Sequence, residues 1–289
     1  MRALFVLTTS ESKRLIGKAV ARMEQVQRAM EKGKILIGHG STNVYVIEEI
    51  LGKEKASELW CRDHYVSGVL LRGNLCTILG TDKPPILILN KGKVEPPALT
   101  MAETLKGFDQ NSVFIKGANC LDPEGNAAVF VAHPEGGTIG WAIGHLWAQG
   151  IPLITPVGLE KLIPSVKKAV SLCGQQTFDY CQGLKVGLVP MMGAQVVTEI
   201  EALRILTGVE AFHIASGGQR VRSCRAKPFV RPVFSLRRRN RKITGLKVRR
   251  SGACLKGKKR GIFPPICRTG NLPVYISDAK WNGPFLIPR

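Results

Sequence analysis

Beyond Gly218 the sequence all but lacks acidic residues: positions 219–289 hold only Asp278 against 20 lysines and arginines. The first 218 residues carry 22 basic and 20 acidic side chains, so nearly all of the net charge of +21 belongs to the last quarter of the chain. Attraction to nucleic acid or to an anionic surface, which such a charge implies, therefore cannot be extended to the body. Long apolar runs are missing as well. None approaches the roughly 20 residues of a membrane span, and the apolar stretch inside Met1–Arg14 is too short and too early for a secretory signal. A cytoplasmic protein without membrane contact is expected. The eight cysteines, at 61, 76, 120, 173, 181, 224, 254 and 267, include no C-x-x-C pair. Neither a zinc site nor a disulfide framework is indicated, and reduced, mostly buried thiols are expected.

What is present in the first 218 residues is a patterned α/β sequence long enough for one domain. N-cap candidates at Thr8–Ser12 precede Leu15, Ile16, Val20, Met23, Val26 and Met30 at helical spacing, which predicts one long amphipathic helix to about Glu31. Gly33 stops it, Lys34–Ile37 reads as a buried strand, and Gly38–Asn43 leads into a helix over Val44–Leu51. Strands at Tyr65–Leu71, Cys76–Leu79 and Ile86–Leu89, separated by turn signals, read as an irregular or antiparallel insertion.

Strands are then predicted at Ser112–Lys116, Ala127–Ala132, Ile151–Thr155, Val186–Val189 and Ala211–Ala215. Helices are predicted at Thr138–Gln149, about Leu159–Val170 and about Val196–Leu206. The alternation predicts a mostly parallel sheet with helices on both faces, a Rossmann-like arrangement. No internal repeat is visible.

Gly38-His39-Gly40-Ser41-Thr42 sits where a strand ends and a helix begins. Unpaired N–H groups and the helix dipole attract an anion there, the glycines admit a close backbone approach, and the two hydroxyls can donate to it. The same residues also suit a plain tight turn with an N-cap. A second candidate region is Ile115-Lys116-Gly117-Ala118-Asn119-Cys120-Leu121-Asp122-Pro123-Glu124-Gly125-Asn126, followed by His133-Pro134-Glu135-Gly136-Gly137-Thr138.

Across these residues the chain resembles the superfamily of ribose-5-phosphate isomerase, glucosamine-6-phosphate deaminase, methylthioribose-1-phosphate isomerase and the CoA transferases. The resemblance lies in a G-[TS]-G-S-T-like loop at Gly38–Thr42 and a G-A-N turn at Gly117-Ala118-Asn119. An acidic-Pro-x-x-Asn loop at Asp122–Asn126 and the glycine turn Gly136-Gly137-Thr138 complete it. It implies a pocket for a phosphorylated or otherwise anionic small molecule, lined by Gly38, His39, Gly40, Ser41, Thr42, Gly117, Asn119, Gly136, Gly137 and Thr138, and it implies no cofactor. The chain departs from ribose-5-phosphate isomerase where Lys116 and Asn119 replace the acids of its D-G-A-D-E turn. His133-Pro134-Glu135 replaces its lysine-bearing glycine strand. Enediol proton transfer needs a carboxylate near the substrate carbon, which leaves Asp122 or Glu135 as base and Lys116 to stabilise oxyanion charge. Effector domains of sugar-responsive bacterial repressors resemble this fold too and bind sugar phosphates without turnover, so enzyme and sensor both stand as readings.

Histidines 39, 133 and 145 raise the question of metal. His145 lies in an apolar helical stretch and reads as a core or interface residue, and His39 and His133 find only Glu135 as a third ligand, so no metal site is assigned. Met191–Ala202 places Glu199 and Glu201 on different helix faces, with Thr198–Glu201 reading as a helix start.

The segment 219–289 holds two basic clusters, Arg237–Lys242 and Lys256–Arg260, suited to phosphate backbones. It also mixes aromatic residues, cysteines and Pro264-Pro265 without period, and its loss of acids just after Gly217-Gly218 is what a shifted reading frame would produce. It is read as a disordered or frame-shifted tail, with nucleic-acid binding and an ordered module as alternatives. A homo-oligomer is compatible with every reading.

Overall fold

The computed structural model describes residues 2–71, 74–78, 82–217 and 231–237. Met1–Arg241 forms one compact unit. The tail expectations for 219–230 and 238–289, with the basic clusters beyond Arg237, lie outside the described residues.

The chain runs β1 (Arg2–Val6), α1 (Thr9–Ala21), α2 (Glu24–Lys32), β2 (Lys34–Ile37), α3 (Asn43–Leu51) and α4 (Lys53–Leu59). Two antiparallel hairpins follow, β3 (Gly68–Leu71) with β4 (Asn74–Thr77), and β5 (Leu87–Asn90) with β6 (Lys93–Glu95). After α5 (Met101–Leu105) come β7 (Val113–Ile115), β8 (Cys120–Leu121), β9 (Ala127–Val131), α6 (Gly137–Gln149) and β10 (Leu153–Pro156). The described chain closes with α7 (Val166–Leu172), β11 (Gly187–Pro190), β12 (Gln195–Val197), α8 (Glu199–Thr207), β13 (Glu210–Gly217) and β14 (Arg231–Arg237).

A six-stranded mixed sheet in the order β12-β10-β7-β2-β5-β6 is the centre of the fold. β12, β10, β7 and β2 are mutually parallel, and β5 joins β2 antiparallel. Side chains alternate along each strand, so the sheet carries two cores. Ile35, Ile37, Ile115 and Ile154 pack with Ile16, Val20 and Val26 of α1 and α2, while Leu36, Phe114 and Leu153 pack with Leu105 of α5 and Ile139 and Leu146 of α6. The expected α/β architecture, with mostly parallel strands and helices on both faces, is therefore present. Beside it lie the antiparallel sheets β11-β9-β8 and β1-β14-β13. Among the described residues no helix is long and apolar enough to cross a membrane.

Several boundaries differ from the sequence expectation. The long first helix is two helices: the Arg22 amide closes α1 on Ala19 O and Val20 O, and Met23 is extended. The break keeps Met23, Val26 and Ala29 in the same core as Ile16 and Val20. The helix expected from Val196 starts at Glu199, because Thr198 caps it in a reciprocal box with Glu201 and Gln195–Val197 pairs with β10. The segment from Leu159 is a single 3-10 turn (Leu159–Lys161), and α7 begins only after Pro164, where Ser165 caps it. Tyr65, expected in a strand, lies in a loop and is fully buried. Its hydroxyl donates to Ile37 O and accepts from Leu87 N, joining β2 to β5.

Candidate functional site

Because β2, β7 and β10 are adjacent and parallel, their C-terminal ends deliver three loops to one edge: Gly38–Thr42, Lys116–Asn119 and Val157–Lys161. This is the edge at which open α/β sheets receive ligands. In the first loop the Gly38 amide bonds Ile115 O at 2.8 Å and the Gly40 amide bonds Tyr65 O at 3.0 Å, which fixes the path of the backbone. The amides of Ser41, Thr42 and Asn43 have no acceptor among the described residues. Thr42 makes no side-chain cap on α3. The start of α3 thus keeps three free donors and its positive dipole end.

Lys116 follows β7 directly. Alternation puts it on the same sheet face as Phe114, and its stem lies against Gly38: a Cβ on Gly38 would stand 2.9 Å from Lys116 Cδ and 3.6 Å from its Nζ. The residue is only 7% exposed, yet among the described residues it has no hydrogen-bond or ion-pair partner. Burial, helped by the charge of Lys83, lowers its pKa from 10.5 to about 8. Lys83 is itself shifted down by burial.

Two buried acceptors lie in the first loop and at the start of α3 that follows it. Asn43 is 0% exposed, donates from Nδ2 to Gly38 O at 2.7 Å, and leaves Oδ1 without a partner. A Cβ on Gly117 would stand 3.6 Å from that oxygen, so Gly117 keeps the approach to it open. His39 Nε2 lies 2.7 Å from Pro84 O, and since a carbonyl only accepts, the ring proton is on Nε2. Nδ1 is then an acceptor, buried and unpaired. Burial outweighs the Pro84 bond, and Lys83 and Lys116 add to it, bringing the His39 pKa to about 4, so the ring is neutral.

A second layer surrounds this centre. Lys13 of α1 donates to Ser41 Oγ at 2.8 Å, and Lys161 donates to Ala118 O at 2.7 Å. Burial lowers both lysines, opposed in each by the charge of Glu160. Glu160 Oε2 is buried without a partner. Fully buried Glu199 accepts from Ser12 Oγ and from Leu159 N, the latter at 2.9 Å. Burial, against those two bonds, raises its pKa to about 7.

The other residues singled out by sequence lie elsewhere or are already engaged. The Asp122 carboxylate accepts from the amides of Glu124, Asn126 and Val166 and from Asn126 Nδ2, at 2.9 to 3.2 Å. Burial raises its pKa, but these donors outweigh it and hold the group below the usual carboxylate range. Asn119 Oδ1 accepts from Phe130 N at 3.0 Å and its amide bonds Ala128 O, which extends the β8–β9 pairing. Glu135 accepts from Trp141 Nε1 at 2.8 Å, and its amide donates to His133 Nδ1. Gly136 and Gly137 have φ of 78° and 56° and start α6 at the corner of the β11-β9-β8 sheet with Thr138. No hydrogen bond or ion pair joins that corner to the Gly38 loop among the described residues.

The structure therefore brings Gly38–Thr42, Lys116 and Gly117 together, and adds Lys13, Asn43, Lys83, Glu160, Lys161 and Glu199. Of these, Asn43 directly follows the glycine loop, and Glu199 belongs to the helix start read at Thr198–Glu201. A separate groove between α3 and α4 is lined by Arg14, Ser57, Trp60 and Arg62, but both guanidiniums already pair with Glu48 and lie over the Tyr45 ring. No family model, curated protein or solved structure matches the chain.

Proposed function

We propose that the chain binds a small anionic metabolite, a phosphorylated one foremost, at the strand edge formed by Gly38–Thr42, Lys116 and Gly117. The observation that carries this is Lys116, a buried side chain with no anion of the protein beside it, packed on Gly38 of the loop that leads into a helix start with three free amides. Burying a charge without a partner is costly, and a bound anion removes that cost. Lys13 and Lys83 add positive charge nearby. The loop order, which resembles that of the sugar-phosphate isomerases, and the C-terminal edge of the parallel strands β2, β7 and β10 support the same reading.

The state of the carboxylates favours recognition over enediol chemistry by Asp122 or Glu135. Asp122 has its lone pairs engaged by four donors, and Glu135 serves Trp141 in another corner. A metabolite sensor of this fold is thus preferred to an isomerase using those bases.

The test is thermal unfolding of the full chain with inorganic phosphate, sugar phosphates, nucleotides and CoA, beside Lys116→Met. Saturable stabilisation of about 2.7 kcal/mol at a hundredfold excess over Kd is expected for the ligand that fits. It should be lost in the variant. No shift with any phosphorylated compound would remove the reading.

A further inference from the structure

We propose that Lys116 captures a carbonyl-bearing anion covalently, as an imine between its Nζ and the carbonyl carbon of the ligand. This rests on the anion site proposed above and names what else the ligand carries. The geometry has three parts.

Lys116 has no carboxylate partner, so nothing in the site holds it as a permanent cation, unlike Arg14, which is paired with Glu48 and Glu49. The anion of the ligand meets the amides of Ser41–Asn43 and Lys13, the amine on Ser41, as well as Lys116, so a second group of the same ligand can be presented to Nζ. Finally, Asn43 Oδ1 and His39 Nδ1 are buried acceptors with nothing to accept, the first beside Gly117 and the second on the residue that follows Gly38. They suit the hydroxyl that such a reaction creates.

The lowered pKa of Lys116, about 8, leaves roughly a tenth of it as free amine at pH 7, where an ordinary lysine has less than about a thousandth. The step is balanced without any oxidant. The amine lone pair forms a C–N bond to the carbonyl carbon, the C=O π electrons move to oxygen, and the oxygen takes a proton to give the carbinolamine. Nitrogen then passes one of its two protons to the hydroxyl and keeps the other, the C–O bond breaks, and water leaves as the nitrogen lone pair forms C=N. Overall, amine, carbonyl and one proton give a protonated imine and one water.

The experiment incubates the full chain with dihydroxyacetone phosphate, and separately with pyridoxal 5′-phosphate, and reduces with borohydride. Intact mass and peptide mapping then locate the adduct. One adduct per chain on Lys116 is expected, formed about tenfold or more faster than on exposed lysines given the free-amine fractions. It should be lost in Lys116→Arg, and its rate should rise as pH climbs towards 8. Inorganic phosphate should protect against it. No adduct with either compound, or label spread over surface lysines equally in wild type and Lys116→Arg, overturns the imine. Thermal stabilisation by phosphate measured on the same sample separates the two failures. Retained, it leaves the anion site standing without the imine; absent, it removes the site and the imine together.

Discussion

The stem of Lys116 occupies the space over Gly38 where any other residue would carry its Cβ, a position 2.9 Å from Cδ of the lysine. The two residues follow different strands, Gly38 after β2 and Lys116 after β7, and their contact joins the glycine loop to the end of β7. Gly38→Ala is therefore expected to move a flexible side chain rather than backbone. The stability cost should stay near 1 kcal/mol, at the low end for overpacking. Displacing Nζ should nevertheless weaken phosphate stabilisation by a larger factor. Denaturant unfolding and phosphate titration of the same variant compare the two, and equal, small effects on both would deny Lys116 its place in the site.

Lys116→Met should make the protein more stable while abolishing its ligand response. The folded pKa of about 8 lies below the ordinary 10.5. Below pH 8 the unfolded chain holds the charge at no cost and the folded chain pays for it, by at most about 3 kcal/mol. Wild-type stability is expected to rise between pH 8 and 10.5 from this group, and the variant should lack that rise. Chemical unfolding at pH 7 and pH 10 checks both statements, and a destabilised variant at pH 7 would show that the amine has a structural partner.

Much of the scaffold was legible because its signals are local. The apolar quartet Lys34–Ile37, the glycine after it and the Thr198–Glu201 box each decide their own conformation over a few residues. The break at Arg22–Met23 and the strand Gln195–Val197 were not, because both depend on what the sheet offers as a neighbour. The site divides in the same way. Gly38–Thr42 and Lys116 announce themselves as a glycine loop and a strand-end cation. Lys13, Lys161 and Glu199 reach the edge only through the packing of α1, the Leu159 turn and α8 on β10, and an isolated lysine or glutamate carries no sign of that. Asp122 shows the reverse case, since an acid in a polar loop reads equally as a base or as a brace.

Glu199 and His39 are expected to oppose one another in acid. Burial raises Glu199 from 4.5 to about 7, so it stabilises the fold fully below pH 4.5 and that contribution is lost as pH rises through 7. Burial lowers His39 from 6.5 to about 4, so its contribution is present above pH 6.5 and is lost as pH falls through 4. Between about pH 4.5 and 6.5 the two slopes nearly cancel and wild-type stability should be flat. Glu199→Gln should uncover a loss on acidification, and His39→Gln a gain. Melting temperatures at half-unit pH steps resolve this, and parallel profiles for wild type and both variants would contradict it.

Asp122→Asn separates brace from base. The carboxylate receives donors from Glu124, Asn126 and Val166, and an amide in its place turns one end into a donor facing a donor. A loss of about 2 to 4 kcal/mol is expected, as for buried hydrogen bonds to a charged group. Because the donors hold the folded pKa below 3.8, the wild-type contribution is present above that pH and is lost on further acidification; the variant should lack the loss. Phosphate binding and trapping of dihydroxyacetone phosphate on Lys116 should persist in the folded fraction, since Asp122 bonds its own loop and the start of α7 rather than the Gly38 edge. An Asn variant of unchanged stability that no longer binds or reacts would instead place the carboxylate on the ligand, and would return Asp122 to the role of base.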